Sequence, residues 1–430
     1  MKFAVFTHVQ HFKKGNQFYA YAPYIREMNL WFQFVEEVEV VAPLVSNSRV
    51  DKKGYGGSDQ RIHYDHNELS FTPILSLNFL NFINTIVSVL RIPFIFLRIF
   101  GAMRRADHLH LRCPGNIGLL SCIGQIFFPS KLKSAKYAGN WDPSSKQPWS
   151  YTLQKWILNN TFLTRKMQVL VYGDWPEQTR NIKSFFTASF SEDEKFSVGE
   201  KDFSEPFTFL FVGNLVEGKK PLEAVKLVEQ LNLRLKGDTD PEILANSKNV
   251  SLEIFGDGPE REKLETYVRE KQLEQFVTFK GSRPLEELKG AYQKAHFVIL
   301  PSKSEGWPKA IAEGMFFGCI PIATPVSCVS WMLDQGNRGI LLTNNANSQK
   351  LKAKGSLERI VGNGQWIKDV DKISGLMKDQ KEMQRMSKEA KQWSQQYTLE
   401  KFEGAIQEVL NYKQQIINNK QDSARITTHR

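Results

Sequence analysis

The chain has 430 residues, a formal charge of +11 and four cysteines. At roughly 150 residues per domain this length corresponds to two large domains or three ordinary ones. With 41% apolar and 24% charged residues, the chain is neither disordered nor fibrous. Cys113, Cys122, Cys319 and Cys328 form no C-x-x-C and adjoin no histidine pair. That spacing fits neither a structural zinc site nor a disulfide framework, so a reducing compartment is expected. The N-terminus turns polar after six residues, too soon for a signal peptide. The positive excess leaves three partners open: nucleic acid, an acidic membrane surface or phosphorylated substrates.

In chain order, a short apolar strand at Lys2–Thr7 leads into a polar loop with Gly15. A helix around Phe18–Trp31 and a second strand, Val38–Ala42, follow. Strand, loop, helix and strand open a parallel α/β sheet. Residues 69–90 then run 22 positions without a charge, long enough for a bilayer. Asn78, Asn81 and Asn84 at helical spacing, with Pro73 and Pro93 to either side, argue for an amphipathic helix and against a span. Residues 91–136 carry eight basic side chains against one acid, Asp107. A basic, Phe- and Leu-rich segment over about 70–136 reads as lying on an anionic leaflet. The alternative is a core helix with a solvated basic end. No nucleic-acid-binding motif accompanies the basic residues, so nucleic acid is not an expected partner.

A further strand at Leu109–Leu111 precedes a Pro114–Gly115 turn and an apolar helix. The charged stretch 191–206 reads as the linker that closes a first domain at 1–200. The second domain, 205–395, begins with the strand 207–213 and the helix Leu222–Leu235. The strand of 250–259 runs into a Gly-rich turn, followed by the helix Glu260–Lys271 and the strand Phe276–Gly281. Then come the helix Glu286–Ala295, the strand 296–301, the helix Pro308–Phe317 and the strand 319–324. This alternation implies right-handed crossovers and a doubly wound parallel sheet. A last helix within 396–418 precedes a polar tail, 419–430, expected to be disordered.

Open parallel sheets bind ligands beyond the carboxyl ends of their strands, and three such ends here are suggestive. In VGNLVEGKK, Gly213 frees the backbone to approach a ligand, and Lys219 or Lys220 can reach an anion. In FGDGP, Gly256 permits the same approach. In PSKSEGWPKAIAEG, Pro308 suits the first helical position, so the Gly306 and Trp307 amides sit at a helix N-terminus suited to a diphosphate. Glu313, on an otherwise apolar helix, needs a hydrogen-bonding partner, for which a ribose diol is suitable. The plainer alternatives are a helix cap for Glu305 and a solvent-facing Glu313.

FVGNLVEGKKPLEAV, FGDGPEREKLE, FVTFKGS, AHFVILPSKSEGWPKAIAEGMFFGCIPIAT and GILL resemble, in order and spacing, the C-terminal domain of family 4 retaining glycosyltransferases with the GT-B fold. The resemblance covers about 205–345 and includes the full context of E-x7-E, Glu305 to Glu313. It implies an α/β protein of two Rossmann-like doubly wound domains facing across a cleft. It also implies a nucleotide-diphosphate sugar held mainly by the second domain and an acceptor held by the first. Glu313 would then bind the donor ribose and Glu305 would lie by the donor sugar. The Gly306–Trp307 amides would contact the sugar or β-phosphate, and Lys219 would neutralise the leaving diphosphate. Gly213, Asn214 and Gly256 would line the donor, Ser282 and Arg283 would lie near the base, and Gly15 would belong to a loop over the phosphates. No metal and no further cofactor are implied.

Two departures from the family accompany this. Asn214 stands where the family commonly has Arg, so charge-assisted contact worth about 1–3 kcal/mol must come from Lys219, Lys220 or Arg283. The usual first-domain His has only His110 as a candidate, and the next strand end carries Asn140. His8 and His11 read as loop residues near the acceptor, and Asp238-Thr-Asp240 as a solvated loop. The reading is a metal-independent retaining glycosyltransferase, cytoplasmic and peripheral on the inner membrane face. Its partners would be a nucleotide sugar, a lipid-linked saccharide or polysaccharide acceptor, and an anionic membrane surface. The alternatives are a nucleotide-sugar epimerase on a similar fold and a GT-B-like subunit that binds without turnover.

Overall fold

Strands buried on both faces need helices on both sides, and the chain meets that requirement twice. The computed structural model describes residues 1–45, 61–79, 81–176, 178–236, 250–343 and 358–411. It divides into one unit of Met1–Phe185 with Lys401 onward and a second of Phe186–Glu400.

The first unit contains β1 (Lys2–Phe6), β2 (Phe12–Lys14), β3 (Gln17–Tyr21), β4 (Glu37–Pro43) and β5 (Arg61–His63). It continues with β6 (Leu69–Ile74), β7 (His108–Cys113), β8 (Leu132–Tyr137), β9 (Met167–Tyr172) and β10 (Ile182–Phe185). Seven of these form a parallel sheet in the order β10-β9-β8-β7-β1-β4-β6, and β2-β3-β5 form a small antiparallel sheet. The second unit has β11 (Phe207–Val212), β12 (Val250–Phe255), β13 (Val277–Gly281), β14 (Phe297–Leu300), β15 (Ile320–Ala323) and β16 (Ile340–Leu341). Its parallel sheet runs β13-β12-β11-β14-β15-β16. The second is the doubly wound sheet that the alternation of elements implied, and the first is the parallel sheet that the resemblance implied.

Three expectations are corrected. The helix expected from Phe18 begins at Ala22, because Pro23 starts it and Gln17–Tyr21 instead pairs with β2 through the hairpin turn at Gly15 (φ +60°). The charge-free run 69–90 is not one helix. Its first part is edge strand β6, and Asn81 stops and restarts the chain by capping the helix Phe82–Arg105, its side chain accepting from the Asn84 amide at 2.8 Å. The stretch 191–206 is not the boundary. The units divide at Phe185/Phe186, and buried Phe190 and Phe203 anchor the charged stretch to the second unit. The last helix, Leu399–Leu410, packs on the first unit, its Phe402 ring against Phe185 (5.4 Å) and beneath the Lys136 ammonium (5.1 Å). The tail 419–430 lies outside the described residues.

The first unit's core is also polar. Glu27 is paired with Arg112 and, at 3.0 Å, with Lys136. Burial alone would push the Glu27 carboxyl up, but the two cations outweigh it and hold it well below its ordinary range. On β7, His108 and His110 share the Ser134 hydroxyl at 2.8 Å each, and His11 meets the Tyr64 hydroxyl at 2.8 Å. Burial lowers all three imidazoles, His11 to about 4 and His108 to about 3. Below pH ~6.5 the unfolded chain binds protons that these native histidines refuse, each removing up to about 1.4 kcal/mol of stability per pH unit. Glu27 acts in the same direction lower down, since below its ordinary value the unfolded carboxyl takes up a proton that the native, cation-held carboxylate refuses. The first unit should therefore melt at steadily lower temperature from pH 6.5 towards pH 4. A melting temperature flat across that window would contradict the assignment.

Candidate functional site

The carboxyl ends of β11 and β12 are laminated onto each other. The Gly213 amide donates to the Phe255 carbonyl and the Leu215 amide to the Asp257 carbonyl, both at 2.9 Å. A Cβ on Gly256 (φ +147°) would stand 1.9 Å from the Gly213 carbonyl oxygen. Gly256 is therefore needed for this backbone contact. Gly213 (φ +155°) differs: a Cβ there would meet nothing within 4 Å, so its face stays open.

After Gly213 the chain makes a 3-10 turn, Glu217–Lys219, and the loop following β14 is tied to it. The Lys303 amide donates to the Gly218 carbonyl at 2.8 Å, and the Lys303 and Glu217 side chains pair. This places the Lys219 ammonium 2.6 and 2.7 Å from the two Glu305 oxygens. The Glu305 side chain is 7% exposed and that of Lys219 30% exposed, so the lysine keeps a solvent-facing side while neutralising a buried carboxylate. Glu305 does not cap the helix Lys309–Phe316. Its loop is pinned from beneath: the Ser327 hydroxyl (3.1 Å) and Cys328 thiol (3.2 Å) both donate to the Gly306 carbonyl. Burial pushes the Cys328 thiol up to about 12, which keeps it a donor.

Glu313 is buried, not solvent-facing. A Cβ on Gly314 would be 2.6 Å from Val298, so the helix presses onto β14 and its carboxylate is carried inward. The partners it requires are the Ser189 hydroxyl (2.6 Å) and the Tyr292 hydroxyl (3.0 Å). Burial, and then the Glu313 charge, hold the Tyr292 phenol well above its ordinary value and keep it a donor. Ser189, Trp307, Lys309, Glu313 and Tyr397 line one small cavity. The Trp307 indole stacks on Trp393 (6.1 Å, 22°) and meets Tyr397 edge-on at 5.5 Å, so this side chain is a core anchor. Sequence reasoning missed Ser189 and Tyr292, which nothing in the motif marks. It also missed Lys309, whose signal was a cation in a helix's first turn, against the dipole.

Of the other expected donor residues, Asn214, Ser282 and Arg283 are exposed. The Arg283 guanidinium donates to the Lys280 carbonyl at 2.8 Å and lies 3.6 Å from Glu287. In the first unit, Gly15 stands in an open hairpin turn. His110 is a correction: it is fully buried in mid-strand against Trp31 (4.5 Å) and Phe3 (5.4 Å), because alternate β7 side chains face this core. The Asn140 side chain accepts from the Asp142 amide at 2.9 Å within its own loop. His8, just beyond β1, is better placed. It lines a polar cavity of about 200 Å³ with Gln10, Ser76, Asn116 and Tyr151. His11 is a core residue. Among the described residues no cluster of three or more His, Cys, Asp or Glu is arranged to hold a metal. Asp238 and Asp240 lie outside them.

Residues 192–357 match the sequence profile of the family described as "Glycosyl transferases group 1". A putative colanic acid biosynthesis glycosyltransferase, WcaL, of Salmonella typhimurium is 28% identical over 143 residues, 31% of this chain and 35% of the relative. The Campylobacter jejuni GalNAc-alpha-(1->4)-GalNAc-alpha-(1->3)-diNAcBac-PP-undecaprenol alpha-1,4-N-acetyl-D-galactosaminyltransferase is 30% identical over 128 residues, 30% of this chain and 31% of the relative. The matches thus span about a third of the length of these curated relatives. The lipopolysaccharide outer core galactosyltransferase WaaB, in its apo form, shares the fold with TM-score 0.59 at 17% identity over 96% of this chain and 100% of that one.

The two strand-end glycines should respond differently to alanine. Gly213→Ala meets open space and incurs only the unfavourable φ, about 1–2 kcal/mol. Gly256→Ala also drives a methyl into a carbonyl oxygen and should cost several-fold more, read as a loss in urea midpoint. Equal losses would refute the lamination of the two loops.

Proposed function

We propose that this chain, whose residues 192–357 match the group 1 glycosyltransferase profile and which shares the GT-B fold, transfers a sugar, with retained anomeric configuration and without a metal, from a nucleotide-diphosphate sugar to a lipid-linked or polysaccharide acceptor at the inner face of a membrane. The observation that carries this is the Lys219–Glu305 pair, which joins the turn after β11 to the loop after β14 at the carboxyl end of a parallel sheet, where Gly213 leaves its own Cβ face open.

In the proposed step the bond from the anomeric carbon to the β-phosphate oxygen breaks, and its electron pair leaves with the diphosphate. The acceptor hydroxyl oxygen bonds to the same face of the carbon, and its proton passes to the leaving phosphate. Lys219 offers an ammonium to the charge that grows on the diphosphate, and Glu305 a carboxylate near the positive charge that grows on the sugar. Both Glu305 oxygens are occupied by the Lys219 ammonium, which makes the carboxylate a poor covalent nucleophile and suits a purely electrostatic role. Glu313 retains acceptor positions beyond those used by Ser189 and Tyr292 and is proposed to take a ribose hydroxyl. Asn214 offers a neutral donor where a charge is common, leaving Lys219, Lys220 and Arg283 to meet the diphosphate. A lipid-linked acceptor is favoured by the Campylobacter relative, whose name specifies an undecaprenol-diphosphate saccharide.

A thermal-shift screen against UDP-, GDP- and ADP-sugars should single out one donor, since a ligand of the folded state alone raises its melting temperature. With that donor the purified protein should hydrolyse or transfer the sugar. Lys219→Ala should lower kcat by about 10²–10³, and Glu305→Ala should abolish turnover. Donor binding without turnover on a broad acceptor set would favour the binding subunit that Asn214 suggests. Interconversion of the free donor sugar without transfer would favour the epimerase.

A further inference from the structure

The helix Phe82–Arg105 is long and apolar enough, by length and composition, to cross a membrane, yet one of its sides is already in use. Ile95, Ile99, Ala102 and Met103 belong to the core cluster under the seven-stranded sheet, together with Ile117, Cys122, Ile157 and Leu158 from the helices Asn116–Gly124 and Trp149–Asn159. To span a bilayer the helix would have to strip that core. Its other side is apolar and open. Phe82 is 79% exposed, and Leu90, Phe94 and Leu97 are 67–68% exposed, with Ile83 and Ile86 on the same stripe at helical spacing. The stripe runs most of a helix about 36 Å long.

Exposed aromatics continue on the neighbouring elements. The helices pack in sequence, Phe82–Arg105 on Asn116–Gly124 and that helix on Trp149–Asn159. The last of these presents Trp149 and Trp156 to solvent seven residues apart, on one side. Phe162 follows, with the Arg165 guanidinium stacked 4.6 Å over its ring, and Phe127 is open beside Phe100. Cations border the apolar stripe: Arg98 and Arg104 are exposed on the same helix, and the Lys131 ammonium sits over its last carbonyls. A monomer seldom exposes so many large apolar side chains together. Trp rings and Arg groups rimming Leu, Ile and Phe are the composition that lies in a headgroup layer, with apolar faces a few Å into the acyl boundary and cations among anionic phosphates.

We propose that this face of the first unit, the outer side of Phe82–Arg105 with Trp149, Trp156 and Phe162 beside it, lies in the headgroup region of an anionic bilayer. The helix lies along the surface and does not cross it. This deepens the membrane-side reading of the acceptor given above. Because it is measured with neither donor nor acceptor present, its failure would leave the transferase reading intact.

The test is co-sedimentation of the full chain with vesicles of phosphatidylcholine alone or mixed with phosphatidylglycerol. The chain should bind the mixed vesicles at low salt, and binding should weaken as salt rises. Arg98→Glu with Arg104→Glu should lower affinity by about five-fold per arginine and flatten the salt dependence. Leu90→Asp with Phe94→Asp should abolish binding, while an unchanged melting temperature shows that the fold is kept, since both side chains already face water. Three outcomes would overturn the proposal. These are no binding to mixed vesicles at low salt, binding indifferent to both double variants, or a dimer in solution that the Leu90/Phe94 variant dissociates, which would make the occupant a second copy.

Discussion

A carboxylate withdrawn from water must find its donors inside the protein, and this constraint recurs wherever the fold does something specific. Glu305 finds the Lys219 ammonium, Glu313 the hydroxyls of Ser189 and Tyr292, and Glu27 the cations Arg112 and Lys136. Each pairing joins residues far apart in the chain, so each is also a fastening. The Lys219–Glu305 pair locks the turn after β11 to the loop after β14, and the Ser189–Glu313 contact holds the opening segment of the second unit to its helix Lys309–Phe316. Lys136 goes further: besides Glu27 it lies over the rings of Tyr172, Phe185 and Phe402, so the same cation that neutralises the core also seats the last helix.

At the candidate site the acid is held ready but quiet. Lys219 is the more exposed partner, and an incoming anion can share its ammonium without either charge being left alone in the interior. The backbone around it is set by the loops meeting at Gly213 and Gly256, so the open face of Gly213 depends on the closed packing at its neighbour. The Ser327 and Cys328 donors beneath Gly306 add stiffness where a shift of a fraction of an ångström would misplace the pair.

The same helix can be core on one side and open to solvent on the other, and this is where a linear pattern misleads. Residues 69–90 looked like one uncharged helix. Edge strand β6 takes the first part because its alternating residues pair with β4, and Asn81 begins the helix because its short side chain satisfies a terminal amide. His110 failed as a site residue for a related reason: a strand-end histidine and a mid-strand histidine look alike until the register of β7 against β1 and β8 is known.

By itself, the sequence determined the second unit's doubly wound sheet, the order of its elements and the loops that carry Gly213, Lys219, Glu305 and Glu313. Those features are local: hydrophobic period, glycine and proline punctuation, and a motif within one strand–turn–helix. Tertiary structure decided what the residues do with one another. It paired Lys219 with Glu305 across 86 positions and supplied Glu313 from Ser189 and Tyr292. It placed the unit boundary at Phe185 and turned Phe82–Arg105 so that one side meets the core and the other is open. Such partners are chosen by burial and proximity in space, and neither quantity is written in the spacing of residues along the chain.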